Sequence, residues 1–331
     1  MSSWPRIASC PSWDQDRWKS DKGHSSNPTG VRDACTQARV LFPYLQLGDW
    51  LGANRKSGAA CGISKAWEGN AVVTSRTYGH QDGLTPPSRL NLALEGRGLL
   101  DIPALLAAAP FLSMAPRGKP HIVLVLPGMG ANDRSTLPLR GFLRWLGYDA
   151  RGWGRGRNIR LPTMEIPAIV GTVKELFETS GTRVSLIVWS LGGILAREVA
   201  RNTPAQVRMV ITLGSPFAAP SANNIRTIWR LLTGEPVVAA NNTGRVTELA
   251  KPLPVPATSI FTRSDGVVAW QACLEQEGPE RENIEVNTTH IGLGFHAPAF
   301  WAIADRLAQP DGAWTPFQPS APVAPFFPRR R

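Results

Sequence analysis

A serine, an aspartate and a histidine stand in three separate turns of this chain and together could perform nucleophilic catalysis. Ser190 lies in Trp-Ser-Leu-Gly-Gly, Asp265 in Ser-Asp-Gly and His290 in Thr-His-Ile-Gly. A serine hydroxyl is a poor nucleophile until a base removes its proton, and that base must be oriented by a third group. The order Ser, Asp, His along the chain therefore predicts a nucleophile, an acid and a base.

The nucleophile prediction depends on residues 183–202. Residues 184–188 are largely apolar and β-branched, which is typical of a buried parallel strand. After Ser190 the apolar residues fall at helical spacing. A strand, a tight turn with a serine and a helix form a nucleophile elbow, which lifts the hydroxyl above the end of a sheet. The usual pattern is G-x-S-x-G, and Val188 stands in place of its first glycine.

The acid and the base each have rivals. Asp265 follows a predicted strand, and Gly266 after it allows a tight bend. His290 lies in the loop before the last predicted helix, whereas His296 is adjacent to that helix and is expected to cap it or pack against it. The rival carboxylates are expected to form a solvated charged loop, and they are Glu275, Glu277, Glu280, Glu282 and Glu285.

Two backbone N–H groups are needed for the oxyanion that develops when a serine attacks an ester. Leu191 follows the serine and supplies the first. The second is assigned to Met129, because Gly128 and Gly130 on either side of it let the backbone approach a substrate closely.

From about residue 88 onward, predicted strands alternate with predicted helices. This alternation indicates a mostly parallel sheet flanked by helices on both faces. The strands are predicted at 121–126, 148–151, 184–188, 207–213, 257–262 and 283–286. The helices are predicted at 101–113, 137–146, 166–178, after the elbow and at 298–307.

Composition divides the chain into a central domain and two dissimilar ends. Residues 1–85 show no sustained periodicity and are expected to be disordered or weakly ordered. Residues 86–312 form the predicted domain, and 217–254 within it are predicted to be a small cap or lid. Residues 313–331 are rich in proline and arginine and are expected to form a loose tail.

Charge and size exclude some function classes. The 331 residues are 43% hydrophobic, which suffices for a substantial core. The net charge is +11, but it is dispersed. The densest cluster of arginines lies at 140–160, matches no nucleic-acid module and is predicted to be a solvated basic face. We therefore expect no nucleic-acid partner, and the oligomeric state stays open.

The cysteines and the apolar segments predict a cytoplasmic protein without a resident metal. The four cysteines show neither C-x-x-C spacing nor a disulfide framework, so no structural zinc site is expected and a reducing compartment is inferred; they are Cys10, Cys35, Cys61 and Cys273. No apolar signal region follows the N-terminus. Residues 99–114 are too short and too interrupted to span a bilayer. They are expected to form a core helix, with a helix at a membrane interface as the alternative.

Five motifs of this chain resemble those of bacterial serine esterases and lipases of the α/β-hydrolase superfamily. The resemblance covers about residues 88–312, and its motifs lie at 124–130, 189–193, 213–217, 264–268 and 290–293. It implies an α/β-hydrolase fold that hydrolyses carboxylic esters through an acyl-enzyme, without metal or organic cofactor. It also implies a triad of Ser190, Asp265 and His290, with Met129 and Leu191 lining the oxyanion hole.

We therefore expect an esterase or lipase whose partner is a small hydrophobic ester with a small to medium acyl group. Two alternatives stay open. Val188 motivates a catalytically impaired hydrolase fold that binds a hydrophobic ligand. An acyltransferase would use the same triad with another alcohol in place of water.

Overall fold

The computed structural model describes residues 84–160, 162–220, 222–224, 250–276, 278–321 and 323–328. The predicted N-terminal extension and most of the predicted cap therefore lie outside the described residues, and both stay predictions. The described part of the predicted cap includes Phe217. Its ring is fully buried, with the Arg197 guanidinium 3.9 Å from its centroid.

A six-stranded parallel sheet forms the centre of the described chain. Its strands lie in the order β2-β1-β3-β4-β5-β6, and every neighbouring pair is parallel. They are β1 (Ile122–Leu126), β2 (Asp149–Gly152), β3 (Val184–Trp189), β4 (Val207–Leu213), β5 (Ala257–Phe261) and β6 (Arg281–Glu285). All residues of β1, β4 and β5 are buried, as expected where helices cover both faces of a sheet.

Helices cover the sheet on both faces. In chain order they are α1 (Arg89–Ala93), α2 (Asp101–Ala107), α3 (Ala109–Leu112), α4 (Leu137–Trp145), α5 (Pro162–Ser180), α6 (Gly192–Asn202) and α7 (Ala297–Ala308), with a 3-10 helix at Leu94–Leu100. None of the helices in the described part of the chain is long and apolar enough to cross a membrane.

Successive side chains of each strand enter opposite apolar clusters. In β1, Val123 and Val125 pack with α2, α3, α4 and α7 on one face of the sheet. Leu124 and Leu126 pack with α5 and α6 on the other face. Helices thus cover both faces of the sheet, which confirms the predicted mostly parallel sheet flanked by helices. Because β1 is buried on both faces, it is apolar throughout.

The predicted elements agree with the structure to within a few residues. The strand predicted at 207–213 is β4 (Val207–Leu213). The predicted helix at 101–113 is two helices, α2 and α3, which meet at Ala108. Pro110 lies in the first turn of α3 and has no N–H to continue the hydrogen-bonded ladder of α2.

The C-terminal segment packs against the domain, so the predicted loose tail is wrong for its described residues. Phe317, Val323 and Phe327 are buried in the apolar cluster that contains α7. The Phe317 N–H donates a 2.7 Å hydrogen bond to Glu282, and the Arg306 guanidinium lies 5.5 Å from the Phe317 ring centroid. Burying a large apolar side chain stabilises by roughly 1.5–3 kcal/mol, which favours docking of the segment.

The predicted solvated basic face is wrong for Arg140. Its side chain is buried, and Nε donates a 3.0 Å hydrogen bond to the Thr136 hydroxyl. Arg155 and Arg160 both form ion pairs with Glu165, which is fully buried in α5. Part of the basic cluster therefore holds the loop after β2 against α5.

Replacement of Phe317 by alanine tests the docked C-terminal segment. Phe317 is 4% exposed, so we expect Phe317→Ala to lower the free energy of unfolding by about 3 kcal/mol, measured by urea denaturation. The control is Phe326→Ala in the same segment, where the ring is 53% exposed and a loss below about 1 kcal/mol is expected. Equal stability of both variants would show that the segment does not pack in solution.

Candidate active site

The predicted nucleophile elbow forms between β3 and α6. Strand β3 ends at Trp189, helix α6 begins at Gly192, and Ser190 between them has a φ of 53°. The Ser190 N–H donates a 2.8 Å hydrogen bond to the Leu213 carbonyl at the end of β4. A positive φ is uncommon for a residue other than glycine, and such strained residues cluster at functional sites.

Val188 does not prevent this turn from forming. Its side chain is fully buried in the apolar cluster that also contains Leu126 and Leu195. The cluster lies on the face of the sheet covered by α5 and α6. The valine thus contributes to the core, while Ser190 keeps its left-handed backbone conformation.

Asp265 and His290 form a buried pair. Asp265 Oδ2 lies 2.7 Å from His290 Nδ1. The other carboxylate oxygen, Oδ1, accepts hydrogen bonds of 2.8 Å from the N–H groups of both Val267 and Val268. The carboxylate is therefore fixed by its own turn, and its second oxygen is directed at the imidazole.

The rival acids and the rival base do not take part in this pair. Each rival glutamate with a described partner is bound by an arginine: Glu275 by Arg197, Glu282 by Arg306 and Glu285 by Arg263. The predicted solvated loop is wrong for Glu275 and Glu282, which are buried, and Glu277 lies outside the described residues.

The rival base, His296, is also buried, and its burial lowers the pKa of the ring to about 4. Within the described residues, no group of three or more His, Cys, Asp or Glu side chains could hold a metal ion.

The glycine-rich turn after β1 lies directly beside the elbow. A Cβ added at Gly128 would lie 3.2 Å from Ser190 Cβ, so only glycine fits this close approach without a shift of its neighbour. The N–H groups of Met129 and Leu191 donate no hydrogen bond to a backbone carbonyl of the described residues.

Asn158 fixes this turn and was not singled out by sequence reasoning. Its side-chain Nδ2 donates a 2.9 Å hydrogen bond to the Pro127 carbonyl. Its carbonyl accepts from Gly130 N–H and its own N–H donates to the Ala131 carbonyl, both at 2.8 Å. An asparagine in a loop of glycines and arginines gives no sequence signal for this role, because its partners lie about 30 residues earlier in the chain.

The elbow and the histidine loop meet through Trp189. The indole Nε1 donates a 3.2 Å hydrogen bond to the His290 carbonyl, and the two ring centroids are 6.3 Å apart. Within the described residues, no hydrogen bond joins Ser190 Oγ and His290 Nε2.

The environment of His290 raises its pKa. Burial of the ring acts to lower the pKa, because it disfavours the charged imidazolium. The charge of Asp265, its hydrogen bond to Nδ1 and the charge of Glu95 together outweigh that effect. The pKa of His290 therefore lies above its ordinary value, and the carboxylates stabilise the imidazolium.

Glu95 is a further residue of the site that sequence reasoning missed. It lies in the 3-10 helix Leu94–Leu100, is 4% exposed, and its carboxylate accepts hydrogen bonds from three backbone N–H groups. The donors are Gly266 at 2.6 Å, His290 at 3.2 Å and Ile291 at 2.9 Å. In the sequence Glu95 looks like a surface charge of a short helix, and only its position among leucines and glycines distinguishes it.

The positions of these groups in the sheet decide the fold. Ser190 follows β3, Asp265 follows β5 and His290 follows β6, each at the carboxyl end of a parallel strand. The serine has the positive φ of a nucleophile elbow. The chain has the α/β-hydrolase fold. The conclusion follows from the strand order and the elbow themselves.

Comparisons with known proteins find lipases among the solved structures, at low identity and with TM-scores below 0.5. No protein-family model matches the chain, and the comparison with curated proteins finds no match. Aspergillus fumigatus lipase B is 18% identical with a TM-score of 0.44, over 61% of this chain and 57% of that lipase. A Bacillus licheniformis lipase is 15% identical with a TM-score of 0.42, over 57% of this chain and 92% of its own. A Paleococcus ferrophilus monoacylglycerol lipase is 17% identical with a TM-score of 0.42, over 59% and 97% of the two chains.

Removal of the Asp265 charge tests the buried pair of this hydrolase fold. In Asp265→Asn the largest effect that raises the pKa of His290 is lost while burial stays, so we expect the pKa to fall. The measurement is a titration of the histidine rings by ¹⁵N NMR, with the signal of His290 assigned from His290→Gln. The ring of His296 is the internal control, and an unchanged His290 titration would contradict the pairing.

Proposed function

We propose that this chain is a serine carboxylic-ester hydrolase of the esterase or lipase type that acts through an acyl-enzyme. The observation that carries the proposal is the pair His290–Asp265, joined at 2.7 Å beside an elbow whose Ser190 has a φ of 53°. The similar solved structures include proteins described as lipases, which agrees with the proposal. The substrate class is a small hydrophobic ester with a small to medium acyl group.

In the first step, Ser190 Oγ attacks the ester carbonyl and transfers its proton to His290 Nε2. Asp265 accepts the Nδ1–H hydrogen bond, which fixes the ring tautomer that leaves Nε2 free to take a proton. The imidazolium that forms is stabilised by the same carboxylate. This role agrees with the raised pKa of His290.

The carbonyl oxygen becomes an oxyanion as the tetrahedral intermediate forms. The N–H of Leu191, at the start of α6, and the N–H of Met129 are the proposed donors to it. A helix N-terminus adds a partial positive charge at this point. Preorganised donors of this kind are each worth roughly 3–4 kcal/mol of barrier in serine hydrolases.

Collapse of the intermediate breaks the bond to the alcohol, which leaves with the proton held by His290. The acyl group remains on Ser190 Oγ. A water molecule then attacks the acyl carbonyl and gives its proton to His290. The bond to Ser190 Oγ breaks, His290 returns the proton to Ser190 Oγ, and the carboxylic acid is released. Because the neutral imidazole is the base, activity rises as the pH increases through the raised pKa of His290.

Replacement of the proposed nucleophile is the decisive test. We expect Ser190→Ala to abolish covalent labelling by a fluorophosphonate probe and to lower the hydrolysis of p-nitrophenyl butyrate about ten-thousand-fold or more. Without the hydroxyl no acyl-enzyme can form.

The matched control is Ser215→Ala. Ser215 follows β4 as Ser190 follows β3, but it is fully buried and its hydroxyl has no hydrogen-bond partner among the described residues. Loss of such a hydroxyl, which alanine replaces with a hydrogen atom, costs little, so labelling and turnover should stay near those of the wild type. Persistence of both activities in Ser190→Ala would overturn the proposed mechanism.

Val188→Gly tests whether the valine at the elbow impairs catalysis. Because the Val188 side chain is fully buried in the core, its loss leaves a cavity and places a glycine inside a strand. We expect the free energy of unfolding to fall by about 3 kcal/mol, measured by urea denaturation, with no gain in the rate of fluorophosphonate labelling. Faster labelling of the glycine variant would favour an impaired hydrolase fold whose defect lies at this position.

A further inference from the structure

We infer that Glu95 is a positioning residue whose buried carboxylate binds the acid loop, residues 265–268, to the base loop, residues 288–291. The inference rests on the proposed function, since the geometry that Glu95 sets is that of the proposed acid and base. Glu95 lies about 170 residues before Asp265 in the chain, in the 3-10 helix that precedes the first strand.

The contacts of Glu95 reach both loops from one side chain. Oε1 accepts hydrogen bonds from the N–H of Gly266, directly after the acid, and from the N–H of His290 itself. Oε2 accepts from the N–H of Ile291. One carboxylate therefore fixes the backbone on which each partner of the Asp265–His290 hydrogen bond is carried.

The packing around Glu95 leaves little room for the loops to shift. A Cβ added at Gly266 would lie 2.4 Å from the Asn91 carbonyl oxygen. A Cβ added at Gly98 would lie 2.3 Å from Thr289 Oγ1. Both distances are shorter than real side-chain contacts, so the helical segment before β1 is pressed directly against the two loops.

The base loop has a second attachment to the same helical segment. The Thr288 hydroxyl donates a hydrogen bond to the Asp101 carboxylate at the start of α2. Burial raises the pKa of Asp101. The segment thus holds the base loop at Thr288 as well as at His290, and of these two carboxylates Glu95 is the one that also accepts a hydrogen bond from the acid loop.

The charge of Glu95 has no cation beside it among the described ion pairs, and three N–H groups solvate it instead. The charges that act on the His290 ring are those of Asp265 and Glu95, and both raise its pKa against the effect of burial. The neighbouring Cys273 thiol is fully buried, which raises its pKa, so it adds no charge at neutral pH. The Trp189 ring, whose centroid lies 6.3 Å from that of the His290 ring, is uncharged.

The test compares Glu95→Gln with Glu95→Ala in the full chain. Glutamine keeps the size and one acceptor oxygen but loses the charge, and its amide nitrogen cannot accept the N–H that the second oxygen of Glu95 binds. The pKa of His290 should therefore fall in the ¹⁵N NMR titration. The acid limb of fluorophosphonate labelling should move to lower pH, because the ring is then neutral at lower pH. Alanine also loses the hydrogen bonds, so kcat for p-nitrophenyl butyrate should fall about 10- to 100-fold with KM nearly unchanged.

The matched control is Glu282→Gln. Glu282 is also a buried glutamate that accepts a backbone N–H, but its partners are Phe317, Arg306 and the Thr258 hydroxyl. Its loss should lower stability while the His290 titration and the pH profile stay those of the wild type. If thermal unfolding shows that Glu95→Ala does not fold, the His290 titration and the pH profile of Glu95→Gln decide the inference.

Two outcomes would overturn the inference. One is a Glu95→Gln variant whose His290 titration and pH profile superimpose on those of the wild type. The other is an equal shift in Glu282→Gln, which would reflect loss of any buried charge. Failure of the proposed function has a different signature, since the wild type would then be neither labelled nor active while the NMR titration still reports the effect of Glu95 on His290.

Discussion

Ser190 is held at a φ of 53°, a backbone region that costs a residue other than glycine roughly 1–3 kcal/mol. Such a conformation persists only where the surrounding structure imposes it. Here β3 lies between β1 and β4 in the middle of the sheet, and the Ser190 N–H is bound to the Leu213 carbonyl. The core of the domain thus holds Ser190 in this strained conformation. The elbow therefore forms although Val188 stands in place of the first glycine of the usual pattern.

The second constraint is the burial of two carboxylates beside one imidazole. Buried charges are costly unless hydrogen bonds replace the lost water. Backbone N–H groups supply those bonds: two bind Asp265 and three bind Glu95. No arginine pairs with either carboxylate among the described residues, so their negative charge acts on His290 and raises its pKa.

These two constraints explain which parts of the chain form one functional unit. The helical segment before β1 contributes Glu95 and Asp101, and its glycine contacts press it against the loops that carry Asp265 and His290. The loop after β2 contributes Asn158, which fixes the turn that carries Met129. Elements that precede the elbow therefore help to hold the loops that carry the proposed acid and base and the turn that carries the proposed donor Met129.

Much of the fold was predictable from local pattern. Strand β4 has the bounds that its apolar run indicates, and the elbow follows from a strand, a serine turn and helical spacing within 20 residues. The docked C-terminal segment was not predictable, because its proline content indicates a loose chain while the burial of Phe317 depends on a surface formed by α7 and β6. The ion pairs of the buried residues Glu275 and Glu282 were not predicted either, because only the tertiary structure brings their arginine partners to them.

The sequence by itself determined the order of strands and helices, the elbow at Ser190 and the candidates Asp265 and His290. Each of these depends on residues that are neighbours in the chain or on their order along it. Only the tertiary structure decided that Asp265, rather than a rival glutamate, pairs with His290, and that Glu95 joins their loops. The hydrogen bonds of Glu95 connect residues 171, 195 and 196 positions apart, a separation at which local periodicity contains no information about contact.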